Sequence, residues 1–181
     1  MLLAGSEEEF ESAFNGFLDR AVRHIEKNKK NFQKLNEDGL SAALAGALMI
    51  PGWLTVLQEA NSNGHVDLTI EAEGRVPARV KLGEAKIYDG PTYHVQGLQQ
   101  LLQRYTTGRE GRGLLIAYVR KKDIKDLIEK LRTHLDTELP ITQQGPTQDQ
   151  LLQWSFLTVH LHSSGEKVQV GHIGCNLYID C

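Results

Sequence analysis

The sequence predicts an α/β protein in which one mixed sheet is flanked by helices. Three observations carry that expectation. Four segments repeat apolar residues at three- and four-residue steps, six shorter segments alternate or run continuously apolar, and clusters of Gly, Pro, Asn and Ser separate them. The resulting order is α-α-β-β-β-α-β-α-β-β, with no internal repeat.

The first helix is expected over 7–30, where Phe10, Phe14, Phe17, Leu18, Ala21, Val22 and Ile25 form one stripe. Ser6 is its N-cap, and Glu7, Glu8 and Glu9 occupy the first turn, where the helix dipole favours acids. The second helix, 37–49, is capped by Asn36, shows Leu40, Ala43, Leu44 and Leu48 on its apolar face, and is closed by Pro51-Gly52. Strands are expected at 53–59, 65–72 and 78–87, turned by Asn61-Ser62-Asn63-Gly64 and by Glu73-Gly74. In the second of them Val66, Leu68 and Ile70 alternate with His65, Asp67 and Thr69, which sets Asp67 opposite the apolar face. A helix over 92–106 carries Val95, Leu98, Leu101, Leu102 and Tyr105. A buried strand, 113–119, follows it, and then a charged helix over 122–135 with Ile124, Leu127, Ile128 and Leu131 as its stripe. Residues 140–150 read as a polar linker. A hairpin, 154–162 with 167–172, turns at Ser163-Ser164-Gly165.

At 181 residues, with 40% apolar and 24% charged residues, the chain fits one domain: a core over 36–120, the N-terminal helix over 6–30 and the hairpin over 153–173. No stretch of about 18 apolar residues spans a membrane, and MLLAGSEEEF lacks the basic start of a secretory signal. Cys175 and Cys181 lie too close together to close more than a tiny loop, so reduced thiols and a cytoplasmic location are expected. A net charge of −3 argues against coating nucleic acid by charge alone. The basic residues are nevertheless grouped: Lys27, Lys29, Lys30 and Lys34; Arg104, Arg109 and Arg112; Arg120, Lys121, Lys122 and Lys125. His160, His162 and His172 with Cys175 lack a matched pair to complete a zinc site, which favours a half-exposed hairpin.

The chemistry is expected from Asp67 on one strand and Glu84-Ala85-Lys86 on the next. Glu84 and Lys86, two apart, point to one side. Two carboxylates brought together raise each other's pKa unless a cation lies between them, and hard ions such as Mg²⁺ favour that arrangement. A lysine beside metal and phosphate stabilises developing negative charge or orients water.

Gly64-His65-Val66-Asp67 and Gly83-Glu84-Ala85-Lys86, with sixteen residues between Asp67 and Glu84, resemble the motif of the PD-(D/E)XK nucleases, with His65-Val66 where the family usually has proline. The helix-strand-strand-strand-helix-strand order over 37–119 resembles that family's core as well. The resemblance implies a restriction-endonuclease-like three-layer fold and Mg²⁺- or Mn²⁺-dependent hydrolysis of DNA. It implies that Glu37 (with Asp38 as its neighbouring alternative), Asp67, Glu84 and the Ala85 carbonyl hold the metal, and that Lys86 assists the water. Members often carry glutamine and then tyrosine on the helix after the lysine strand. Gln100 is the favoured match and Gln96 the next, although Gln100 and Tyr105 are one residue further apart than the common Q-x-x-x-Y spacing. Tyr88 and His94, near the lysine strand, are candidate phosphate contacts. A homodimer or a recruiting partner, and roles in restriction, anti-phage defence or toxin delivery, are implied by analogy. Alternatives are a catalytically inactive interaction subunit on the same fold and an RNA-directed nuclease.

Overall fold

In the computed structural model, residues 6–61, 64–72 and 79–180 are described. The expected turn residues Ser62, Asn63, Glu73 and Gly74, the strand start at Ala78 and the thiol of Cys181 lie outside them. The elements in order are α1 (Glu7–Lys27), α2 (Lys29–Phe32), α3 (Glu37–Leu48), β1 (Leu54–Asn61), β2 (Gly64–Ala72) and β3 (Arg79–Ile87). There follow α4 (Pro91–Gln100), a π-helical turn (Leu101–Tyr105), β4 (Arg112–Val119), α5 (Ile124–Glu138), β5 (Gln148–Asp149), β6 (Ser155–Leu161) and β7 (Lys167–Asn176).

Seven strands form one mixed sheet in the order β1-β2-β3-β4-β7-β6-β5. The three central strands, β3, β4 and β7, run parallel, and the outer pairs are antiparallel. Parallel neighbours require crossovers, and crossovers are almost always right-handed. Both steps, β3 to β4 and β4 to β7, move across the sheet in the same direction, so their helices fall on the same face. Leu98, Leu101 and Leu102 accordingly share a cluster with Ile124, Ile128, Leu131 and Leu135, under which Leu115, Ala117 and Val119 lie. The other face is covered by α1 and α3, whose Phe14, Leu18, Ile25, Leu40 and Leu44 pack on Leu114, Ile116, Tyr118 and Ile173. The sheet is thus enclosed between helices, and β4 is buried from Gly113 to Val119, as its uninterrupted apolar run demands.

The α1 start is as expected: Ser6 and Glu9 form a capping box. The helix stops three residues early because the Asn28 amide group bonds back to the His24 carbonyl and a new turn begins at Lys29. The expected linker over 140–150 is ordered instead. Its β5 pairs with β6, and Gln144 N–H donates to the Val159 carbonyl. The hairpin is not an appendage to the core. Its second strand runs on to Asn176 and lies in the middle of the sheet beside β4.

The histidines expected on a half-exposed hairpin are largely internal. His160 and His172 are buried, while Cys175 faces the other cluster, so no shared metal pocket forms between them. His94 Nε2 lies 2.8 Å from His172 Nδ1, His172 Nε2 lies 2.8 Å from Thr158 Oγ1, Thr158 Oγ1 lies 2.7 Å from His160 Nε2, and His160 Nδ1 lies 2.8 Å from the Ile141 carbonyl. A carbonyl only accepts, which fixes the whole chain for neutral rings: His160 carries its proton on Nδ1, and His172 and His94 carry theirs on Nε2. Burial pushes all three imidazoles below their usual range, His94 to about 3. In the unfolded chain they bind protons below about pH 6.5. Their contribution to stability is therefore complete above that value and is lost progressively as pH falls from there toward the lowered folded values. Nitrogen-15 NMR at about pH 5.5 should show His94 and His172 as neutral Nε2–H tautomers and His160 as neutral Nδ1–H. A protonated ring at any of the three would refute the assignment.

Candidate active site

Asp67 owes its position to an irregularity in β2. Leu57 pairs with Thr69 and Glu59 with Val66, so one residue of β1 stands opposite two of β2, Asp67 and Leu68. Such a bulge re-aims side chains. The expected Val66-Leu68-Ile70 face is corrected accordingly: Leu68 and Ile70 join the α1/α3 cluster, and Val66 joins the opposite one.

The bulge also ends the ladder between β2 and β3, whose last registered pair is Leu68 with Gly83. Beyond it, the N–H groups of β3 that face β2 have no strand to bond. Two carboxylates replace it. Asp67 Oδ2 accepts from Ala85 N–H at 2.8 Å, and Glu37 Oε1 accepts from Ile87 N–H at 2.9 Å. Because N–H and C=O of one strand residue point the same way, the Ala85 carbonyl is directed toward this gap too. Glu37 is the α3 acid that reaches β3. Asp38 is exposed, and its carbonyl accepts from Gln58.

Between these groups lies Lys86. Its Nζ is 2.6 Å from Glu84 Oε1 and 3.7 Å from Glu37 Oε2. Glu84 is 2% exposed and its Oε2 is buried without a hydrogen-bond partner. Burial, then the neighbouring Asp67 charge, pushes the Glu84 carboxyl up to about 7 against the pull of Lys86. Burial also raises Asp67, opposed by the Ala85 N–H bond. For Lys86, burial works against the charge, but the bond to Glu84 and the surrounding acids outweigh it and hold the ammonium above its usual value.

Three contributors were not among the expected site residues or their geometry was unforeseen. Tyr93 donates from its hydroxyl to Glu37 Oε1 at 3.2 Å. Tyr105 is buried, and burial followed by the Glu84 and Asp67 charges raises its phenol, so it remains a donor beside them. Gly97 makes room for the lysine arm. A Cβ there would stand 3.0 Å from Lys86 Cγ and 3.2 Å from Leu115 Cδ1. A glycine inside a helical pattern was the available signal for that close approach.

The π-turn accounts for the long glutamine-to-tyrosine spacing. Thr106 N–H bonds to the Leu101 carbonyl, five residues back. One extra residue per turn stacks Gln100 over Tyr105 as a four-residue spacing would in an α-helix. The Gln100 carbonyl oxygen is buried without a partner, whereas Gln96 is exposed on α4. Tyr88 and His94 do not join the site. Tyr88 is 3% exposed, and its hydroxyl is bonded to the Leu127 carbonyl. His94 lies on α4 with its ring committed to His172, so neither side chain is available to a phosphate.

Among the described residues no three of His, Cys, Asp and Glu are gathered as a metal-holding group. An ammonium occupies the centre instead. The donor set still suits a hard cation, which takes one or two carboxylates and completes its shell with water and phosphate oxygens. The partnerless Glu84 Oε2 is an oxygen of that kind. A cavity of about 640 Å³ lies elsewhere, lined by Leu102, Gln103, Ile141, Thr142, His160 and His162 among others, with no acid on its wall. Compared with known proteins, the chain matches no family model, no curated protein and no solved structure.

The raised Glu84 carboxyl has a measurable consequence. Its protonated form is favoured in the fold, so its contribution is present below about pH 4.5 and lost as pH rises through about 7. Glu84→Gln should therefore gain stability relative to the parent by about 2 kcal/mol between pH 5 and pH 8 in urea unfolding. A difference independent of pH would refute the shift. Gly97→Ala should cost about 1–3 kcal/mol through overpacking against Lys86 and Leu115. An unaffected midpoint would show that the arm does not need this space.

Proposed function

We propose that this protein is a divalent-metal-dependent nuclease of the PD-(D/E)XK type, with a restriction-endonuclease-like fold, that hydrolyses phosphodiester bonds in DNA. The observation that carries the reading is the meeting of Asp67 from β2 with Glu84 and Lys86 from β3 at a gap in the sheet. The order of elements from α3 to β4 agrees with it, as does a glutamine and tyrosine pair brought into phase by the π-turn.

Asp67, Glu84 and the Ala85 carbonyl would hold Mg²⁺ or Mn²⁺, with Glu37 beside them. Such an ion supplies a water of lowered pKa and a Lewis-acid contact to a phosphate oxygen. The residues of the chain do the rest. Lys86 neutralises charge that develops on the phosphate. Gln100 orients the attacking water through its buried carbonyl oxygen, and Tyr105 donates toward the carboxylates. Tyr93 and the Ile87 N–H keep Glu37 aimed at the gap. Water adds to phosphorus, the opposite P–O bond breaks, and the departing oxygen takes up a proton.

A second reading has its own observation. Asp67 and Glu37 each satisfy a backbone N–H of β3, a duty a non-catalytic interaction subunit would also keep. Asp67→Asn separates the two, because the amide oxygen still accepts from Ala85 N–H while the charge is lost. The nuclease reading expects Asp67→Asn and Lys86→Ala to remain folded and to lose at least about 100-fold in Mg²⁺- or Mn²⁺-dependent cleavage. The assay is a panel of supercoiled plasmid, linear duplex, single-stranded DNA and RNA, with EDTA as control. Full activity in either variant, or none in the parent on any substrate, would refute it. Cleavage confined to RNA would replace DNA as the substrate.

A further inference from the structure

We infer that Lys86 is the internal counter-cation of this site, and that it yields its place to the divalent ion when a phosphate draws it away. The inference rests on the nuclease reading and concerns how the site is regulated. The Lys86 ammonium contacts Glu84 at 2.6 Å and approaches Glu37 at 3.7 Å, with its side chain only 12% exposed. Glu84 belongs to the set proposed to hold a divalent ion, and Glu37 lies beside it. Two cations cannot share them without strong repulsion at such separations.

The Lys86 stem packs closely along α4, where a Cβ on Gly97 would be 3.0 Å from Cγ and 3.4 Å from Cε. Beyond that contact the ammonium sits at the end of a four-carbon stem with several rotatable bonds, which lets it change partner over a short distance. The ammonium has three donors, and a phosphate oxygen of an incoming strand is an acceptor as strong as the carboxylates it leaves. Once the ammonium is on the phosphate, Glu84 Oε1 is released beside the already partnerless Oε2. Metal and substrate then bind with positive coupling, and each must raise the affinity of the other by the same factor. The resting site is held closed to metal, which restrains cleavage chemistry until a phosphodiester is present.

Electron paramagnetic resonance of free Mn²⁺ tests this without any readout of cleavage. The parent, Lys86→Met and Glu84→Gln would be titrated with Mn²⁺, each with and without a duplex oligonucleotide carrying phosphorothioate linkages. Methionine keeps the arm's packing against Gly97 and removes the charge; Lys86→Gln serves if it does not fold. The expected result is about tenfold tighter Mn²⁺ binding by Lys86→Met than by the parent without duplex. Duplex should tighten the parent by about the same tenfold factor and leave Lys86→Met unchanged, with Glu84→Gln binding weakest throughout. Equal or weaker binding by Lys86→Met, or an equal effect of duplex on both, overturns the counter-cation role and leaves the nuclease reading standing. No Mn²⁺ binding by any of the proteins, with or without duplex, overturns both.

Discussion

The hydrogen bond from Ala85 N–H to the Asp67 carboxylate is the contact on which the arrangement depends. A bulge in β2 parts two strands in the middle of a sheet, and a buried backbone N–H left without an acceptor is costly. The acceptors supplied are carboxylates, one from the bulge and one from the start of α3. Once two or three acids are held in a poorly solvated gap, a cation becomes necessary, and the chain provides Lys86 from the next position on the same face of β3. Backbone satisfaction, the raised carboxyls and the trapped ammonium are thus successive consequences of one break in a ladder.

The rest of the fold holds that break open on one side and seals it on the other. Two crossovers of one hand place α4 and α5 together, so α4 and its π-turn form a lid over β3 and β4 that carries Tyr93, Gly97, Gln100 and Tyr105. On the opposite face α1 and α3 close the core, and α3 begins where Glu37 can reach round to β3. Beneath the lid, the neutral histidine chain ties α4 to β6 and β7. It anchors the lid to the far half of the sheet.

Much of this was legible in the sequence because it follows local rules. Helix stripes, the Ser6 cap, the continuous apolar run of β4 and the adjacency of Asp67 to Glu84-Ala85-Lys86 are set by spacing alone. What was not legible depends on partners distant in sequence. His94 and His172 are 78 residues apart, and nothing near either announces the other. The bulge flips Val66 to the second cluster only because β1 has one residue fewer there, which alternation within β2 cannot reveal. Glu37 and Asp38 are adjacent, and only the phase of α3 against β3 separates them. The π-turn hid in a spacing that looked one residue too long.

The central claim is that this gap binds a divalent ion between β2 and β3. Anomalous diffraction from crystals soaked in Mn²⁺ and a duplex oligonucleotide tests it most directly. The account predicts one strong peak about 2.0–2.3 Å from oxygens of both Asp67 and Glu84, with the Lys86 ammonium moved off Glu84 Oε1. Crystals with duplex in place, no peak in the gap and Lys86 still on Glu84 would contradict it.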